Sequence, residues 1–193
     1  MPRRRLTINF EETAYWLDQA IPATLEFRTV EGWRVALSDL GRGESLAVTA
    51  EFGEVDTGLT ATEEGVDVRC ELLAVARTGT AEVAAAVVAA AEKLRSLGGI
   101  IPAQPGVLLP KLTDGTALDQ KPYTVRHGML IVPYLWGGQT PRLPEEDRLT
   151  VVCQLVLLTE AEYAYAVEEG VAALQEEVGH EEIDLLDWSR GDD

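Results

Sequence analysis

The chain has few of the residues on which catalytic and metal sites are usually built. Its 193 residues include two cysteines and two histidines, and none of these has a partner at the spacing of a metal-binding motif. The phosphate-binding P-loop, the G-x-G-x-x-G pattern and the G-x-S-x-G motif are also missing. We therefore predict no catalytic residues, no cofactor and no metal. Cys70 and Cys153 lie in apolar segments, which predicts small buried side chains.

Basic residues are also scarce. Sixteen lysines and arginines stand against 33 aspartates and glutamates, which gives a net charge of −17. Nucleic acids and anionic membranes bind through clustered positive charge, so we expect neither as a partner. A basic protein, in contrast, would be attracted to this chain. Only three of the 16 basic residues are lysines, a usage typical of bacteria with GC-rich genomes.

Long apolar runs are missing too. No run is long enough to cross a bilayer, and the basic N-terminal segment lacks the apolar centre of a signal peptide. We therefore expect a cytoplasmic protein. The length favours a single domain over residues 1–193, of which residues 1–8 are expected to form a flexible tail.

Alternating and periodic apolar residues predict a mixture of strands and helices. Strands are expected at residues 24–30, 33–38, 45–52, 66–77, 128–135 and 149–158, and helices at residues 10–20, 81–96 and 159–178. Thr80 is expected to cap the second helix. Pro133 lies within the strand at residues 128–135, which predicts that this strand lies at an edge of the sheet or that the proline occupies a bulge.

The last helix has the clearest signals. Thr159 and Glu162 have the spacing of a capping box, and an apolar stripe follows at helical spacing, consisting of Val167, Val171, Leu174 and Val178. Gly170 lies inside this helix, where glycine is unfavourable, and a close packing contact would explain a glycine there. The apolar residues of the tail are expected to dock on the body of the protein, namely Ile183, Leu185, Leu186 and Trp188.

Four segments resemble the suppressor of fused family. They are WRVALSDL (33–40), VRCELLAVAR (68–77), LTVVCQLVLLTEAEYAYAVEEGVAALQEEV (149–178) with its T-x-x-E motif, and IDLLDWSR (183–190) with its closing D-x-x-R. The resemblance implies an α+β sandwich, in which helices pack on a mixed and mostly antiparallel sheet. It also implies a protein-binding module and not an enzyme, and bacterial members of the family include immunity-like proteins of toxin systems.

The most plausible partner-binding residues follow the strand at residues 128–135. Tyr134 and Trp136 are aromatic, and Arg142 is a rare positive charge nearby. An edge strand there could also accept a strand from a partner or from a second copy of the chain. The alternative is a small-molecule-binding protein or an unrecognised enzyme, with a site between the loops at residues 100–127 and 136–148 and His127 as its acid or base.

Overall fold

The computed structural model describes residues 10–63 and 65–191. The predicted tail at residues 1–8 lies outside the described residues. The described chain forms a nine-stranded sheet with helices on both faces. Within these residues, no helix combines the length and the apolar character that crossing a membrane requires.

The sheet is mixed and mostly antiparallel, which confirms the predicted α+β fold. Its main path runs β1-β2-β3-β5-β9-β7-β6, while β4 pairs with β5 and β8 pairs with β9. Among the described strands, only the pairing of β5 with β9 is parallel. The strands are β1 (Glu26–Val30), β2 (Trp33–Gly41), β3 (Glu44–Thr49), β4 (Leu59–Thr60), β5 (Asp67–Ala76), β6 (Leu108–Leu109), β7 (His127–Ile131), β8 (Arg142–Pro144) and β9 (Arg148–Leu158).

Helix α2 (Thr80–Ser96) covers one face of the sheet. Eight of its residues are buried, and half of these are alanines, whose short side chains let the helix lie close to the strands. The residue that caps α2 is Gly79, and Thr80 is the first helical residue, so the predicted Thr80 cap is wrong. The physical reason is that the backbone of Gly79 is still extended, whereas Thr80 already belongs to the helix. The helix therefore begins one residue earlier than expected.

The other face is covered in two parts. Helix α1 (Phe10–Ala20) packs over β2, β3 and β5 through Leu17, while α3 (Glu160–Glu169) and α4 (Val171–His180) pack over β7 and β9. Alternate residues of β9 point to opposite faces: Cys153 and Leu155 contact the α2 layer, and Val156 contacts the α3–α4 layer. A central strand buried on both faces reads as a continuous apolar run, as β9 does.

Gly170 divides the predicted last helix into α3 and α4. Its φ is 99°, a conformation that side chains with a Cβ rarely adopt, and a Cβ there would meet nothing within 4 Å. The expected close packing contact is therefore wrong, since the glycine is needed for the turn between two helices. As a consequence the apolar stripe is broken, and Val167 is 59% exposed while Leu174 is buried.

Strand β7 is internal, so the predicted sheet edge at residues 128–135 is wrong. It pairs with β9 on one side and with β6 on the other. The strand ends at Ile131, before Pro133, whose missing N–H could not continue a ladder. Strand β6 has only two residues and lies in a proline-rich segment. Two residues are too few to show the alternation of apolar and polar residues by which a strand is predicted. The basis for strand addition or dimerisation at this edge is removed.

Candidate functional site

A groove opens on the sheet face that α1 and the α3–α4 pair share. The floor of this sheet groove is formed by Val75 of β5 and by Gln154 and Val156 of β9. Its volume is about 560 Å³. The groove exists because α1 covers one part of this face and α4 another, which leaves the strands between them without a helix above them.

The first wall of the sheet groove is formed by Tyr134 and Leu135. The backbone N–H of Tyr134 donates to Oε1 of Gln154 at 2.9 Å, which ties the wall to the floor. Next along the chain, Nε1 of Trp136 donates to the carbonyl of Ala20 at 2.8 Å, so this segment is also bonded to the end of α1. The ring of Tyr134 is left 63% exposed. The result is an accessible aromatic side chain on a well-supported backbone.

The second wall is formed by the end of α4 and residues 182–186. Arg77 fixes this segment to the end of β5: its backbone N–H donates to the carbonyl of Leu186 at 2.8 Å, and its Nη1 donates to Asp184 at 2.7 Å. The hydrogen bond from Arg77 lowers the pKa of Asp184 below its ordinary value, so this carboxylate stays ionised. The residues that line the sheet groove include Glu182 and Asp184 but no basic residue.

A buried ion pair fixes the tail behind the second wall. Arg190 donates from Nε to Oε1 of Glu162 at 2.8 Å and from Nη2 to Oε2 at 2.6 Å, and its Nη2 also donates to the carbonyl of Leu157 at 2.6 Å. Both side chains are at most 10% exposed. Glu162 also accepts from the N–H of Thr159 and completes the predicted capping box. One carboxylate therefore begins α3 and anchors the tail.

Trp188 completes the docking of the tail. It is buried, and its ring meets that of Tyr123 edge to face at 5.6 Å between centroids. Sequence reasoning expected the apolar tail residues to dock but missed the pairing of Arg190 with Glu162. The available signal was that Arg190 is the one basic residue after Thr159, among 12 acidic residues.

The three predicted partner-binding residues do not come together. Tyr134 lines the sheet groove, and Trp136 supports it through α1 without lining it. Arg142 lies on β8 and lines a separate cavity. That cavity, called the loop cavity here, has a volume of about 370 Å³ and lies between the predicted loops, since Ala103 and Thr140 both line it.

His127 does not line the loop cavity. It is buried, its Nδ1 accepts from the N–H of Lys111 at 3.0 Å, and its Nε2 lies 2.7 Å from Oε2 of Glu160. Since Nδ1 is an acceptor, the ring proton is on Nε2 and is donated to Glu160. The ring also stacks on Tyr163 at 4.0 Å. Both nitrogens are occupied, so His127 joins β7 to α3, and the geometry does not support its proposed role as an acid or base.

His180 is exposed and belongs to the only group of side chains in the described chain (residues 10–63 and 65–191) that could surround a metal ion. Ligand atoms of Glu177, His180 and Glu181 lie within 4.8 Å of one another. However, Nδ1 of His180 already bonds to Glu181 at 2.8 Å. An exposed acidic group of this kind is not by itself a metal site.

The two cysteines are free and buried, as predicted. Burial raises the pKa of Cys153 to about 12 and raises that of Cys70 well above its ordinary value. Neither thiol is therefore ionised at neutral pH, and neither is a nucleophile.

Glu71 is a buried carboxyl group that sequence reasoning missed. Oε2 accepts from the hydroxyl of Thr49 at 2.5 Å and from the N–H of Phe52 at 3.0 Å, and Oε1 accepts from the N–H of Gly53 at 3.0 Å. Burial raises its pKa to about 8, which outweighs the lowering effect of these donors. The side chain caps the short 3₁₀ turn at Phe52–Glu54. Its signal is a single acid within the apolar run CELLAV.

Comparisons with known proteins show similarity in structure only. No family model matches this chain, and no curated protein matches it. A crystal structure of the Sufu–Fu complex contains a chain that is 12% identical, with a TM-score of 0.54 over 91% of this chain and 84% of that one. The crystal structure of Drosophila Suppressor of Fused is 14% identical, with a TM-score of 0.45 over 91% of this chain and 42% of the Drosophila chain. The similarity to the chain of the Sufu–Fu complex confirms the expected suppressor-of-fused-like fold.

Proposed function

We propose that this suppressor-of-fused-like chain is a protein-binding module, and that its sheet groove accepts a partner segment with apolar and basic side chains. The observation that carries the proposal is the combination of an apolar floor with an acidic rim in one groove. Val75 and Val156 provide apolar surface at the floor, and Glu182 and Asp184 provide negative charge at the rim.

The aromatic wall supports a protein partner. Tyrosine is among the residues that contribute most to protein interfaces, because it offers a large rigid surface with a polar end. Tyr134 is largely exposed, while the backbone beneath it is held by Gln154. An exposed aromatic ring on a fixed backbone loses little conformational freedom on binding.

The charge of the second wall supports a basic partner. Asp184 is neutralised in part by Arg77, but Glu182 is exposed at the rim. Glu177 is half-buried on α4, and Glu181 is exposed just after it. Together with the net charge of −17, these carboxylates would attract lysine or arginine side chains and steer a basic partner toward the groove. Association should therefore slow as the salt concentration rises.

The structural likeness supports the same class of function. The similar chain belongs to the crystal structure of the Sufu–Fu complex, in which one protein binds another. More specifically, we propose that the chain is a cytoplasmic bacterial protein and that it acts as an immunity-type or regulatory antagonist of a basic effector. This form rests on the acidic composition and on the resemblance of the sequence motifs.

A peptide selection tests the proposal and does not require the partner to be identified first. A phage-displayed library of random peptides is selected against the chain at low salt, and affinities of the recovered peptides are measured by fluorescence anisotropy. We expect recovered peptides to combine lysine or arginine with aliphatic or aromatic residues. Tyr134→Ala should weaken their binding by roughly 30-fold, the size of a hot-spot contact of about 2 kcal/mol.

Tyr15→Ala is the matched control. Tyr15 is also exposed, but it lies on α1 and does not line the groove. Binding that weakens equally in both variants, or does not weaken in Tyr134→Ala, would contradict the proposed site. Recovery of acidic peptides would contradict the proposed chemistry.

A further inference from the structure

We infer that the loop cavity is a second binding site, which takes a small amphipathic carboxylate: an apolar body that ends in one carboxylate group. The loop cavity and the sheet groove share no lining residue. The two sites can therefore be tested independently of each other.

The loop cavity lies at a gap in the ladder of β9. Val151 is the last residue of β9 that pairs with β8, and Gln154 is the first that pairs with β7. On this side of β9, Val152 and Cys153 have no strand partner among the described residues. The gap exists because Pro133 cannot extend β7, so the chain diverges from β9 before it returns as β8.

The walls of the loop cavity are largely apolar. Leu59, Val68, Val132 and Val151 contribute aliphatic surface, and Val132 is 51% exposed although it is apolar. A volume of about 370 Å³ is within the range of small-ligand pockets, roughly 300 to 1,000 Å³. Such walls favour an apolar body over a polar one, since apolar contact surface is removed from water on binding.

Arg142 is the one charged residue among those that line the loop cavity. The neighbouring arginines are paired, Arg126 with Asp119 and Arg148 with Glu145, whereas Arg142 has no ion pair within the described residues. An arginine without a carboxylate partner is notable in a chain with a net charge of −17. Its planar guanidinium matches a carboxylate, to which it can donate two parallel hydrogen bonds.

Other occupants fit the loop cavity less well. A gap of two residues, closed at both ends by β7 and β8, is too short for a partner strand. A nucleotide carries several phosphate charges, and a single arginine cannot neutralise them. The negative charge of the whole protein opposes any anion, so the affinity for a carboxylate must depend on Arg142 itself.

Isothermal titration calorimetry with sodium octanoate tests the inference, with 1-octanol as the uncharged probe of the same chain length. We expect saturable binding of octanoate to the full chain. Arg142→Gln should weaken octanoate binding by roughly tenfold to hundredfold, the range for a hydrogen-bonded charge, and should leave octanol binding unchanged. Arg42→Gln is the matched control, because Arg42 is an exposed arginine in the β2–β3 turn, outside the cavity.

A cavity-filling variant provides a second measurement. Val132→Trp places a large side chain at the cavity wall, at a half-exposed position that tolerates it, and should abolish the binding of both probes. The inference is overturned if octanoate does not bind, if Arg142→Gln binds it as tightly as the unaltered chain, or if Val132→Trp still binds both probes. None of these outcomes affects peptide binding at Tyr134, so the proposed function and this inference can be refuted separately.

Discussion

Replacing Arg190 by methionine would remove one half of the buried ion pair that anchors the tail. The variant loses both bonds to Glu162 and the bond to the carbonyl of Leu157. Since both side chains are at most 10% exposed, the carboxylate of Glu162 would be left largely buried without its counter-charge. Breaking a buried pair in this way costs about 3 to 5 kcal/mol.

Urea denaturation followed by circular dichroism measures this cost. Arg77→Met is the matched control: it removes an arginine that bonds to the same tail, but its pair with Asp184 is half-exposed and screened by water, so its loss should cost much less. Adding Glu162→Gln to Arg190→Met removes the stranded charge and should recover part of the loss. If Arg190→Met costs no more than Arg77→Met, the tail is not anchored by the buried pair and our reasoning is refuted.

Two further predictions concern stability. The pKa of Glu71 is raised to about 8 in the folded chain, whereas in the unfolded chain it has its ordinary value of 4.5. Its contribution to the free energy of unfolding is therefore complete below pH 4.5 and declines as pH rises to 8, by as much as about 5 kcal/mol at roughly 1.4 kcal/mol per pH unit. Glu71→Gln should flatten this decline in urea denaturation at several pH values, and an unchanged slope would contradict the assignment. Gly170→Ala should destabilise the chain by roughly 1 to 3 kcal/mol because its φ is 99°, whereas Gly179→Ala, within α4, should stabilise it slightly; equal effects would refute the conformational argument.

Local signals were sufficient for much of the fold. The capping box of Thr159 and Glu162 and the continuous apolar run of β9 were predicted correctly, because each depends on neighbouring residues. The strands at residues 24–30 and 33–38 were predicted from their alternation; they pair as β1 and β2, and both residues of the turn between them, Glu31 and Gly32, have positive φ. Such features are set by residues close together in the chain.

Features that depend on distant contacts were missed. The edge prediction for β7 failed because its neighbour β6 has only two residues. Tyr134 and Arg142 were predicted to share a site, but they do not. The reason is that β8 pairs with β9 beyond the end of β7, so that Arg142 lies at a different cavity. The pair of Arg190 and Glu162 spans 28 residues, and no local pattern predicts it.

The central claim is that the sheet groove binds a basic segment of a partner protein, and hydrogen–deuterium exchange tests it most directly. The exchange of backbone amides is compared with and without the tightest-binding basic peptide from the selection. Our account predicts slower exchange at residues 134–135, which form the first wall, and at residues 178–179 and 182–186, which form the second. Protection confined to another surface, such as the exposed edge strand β1, would contradict the account and place the binding site elsewhere.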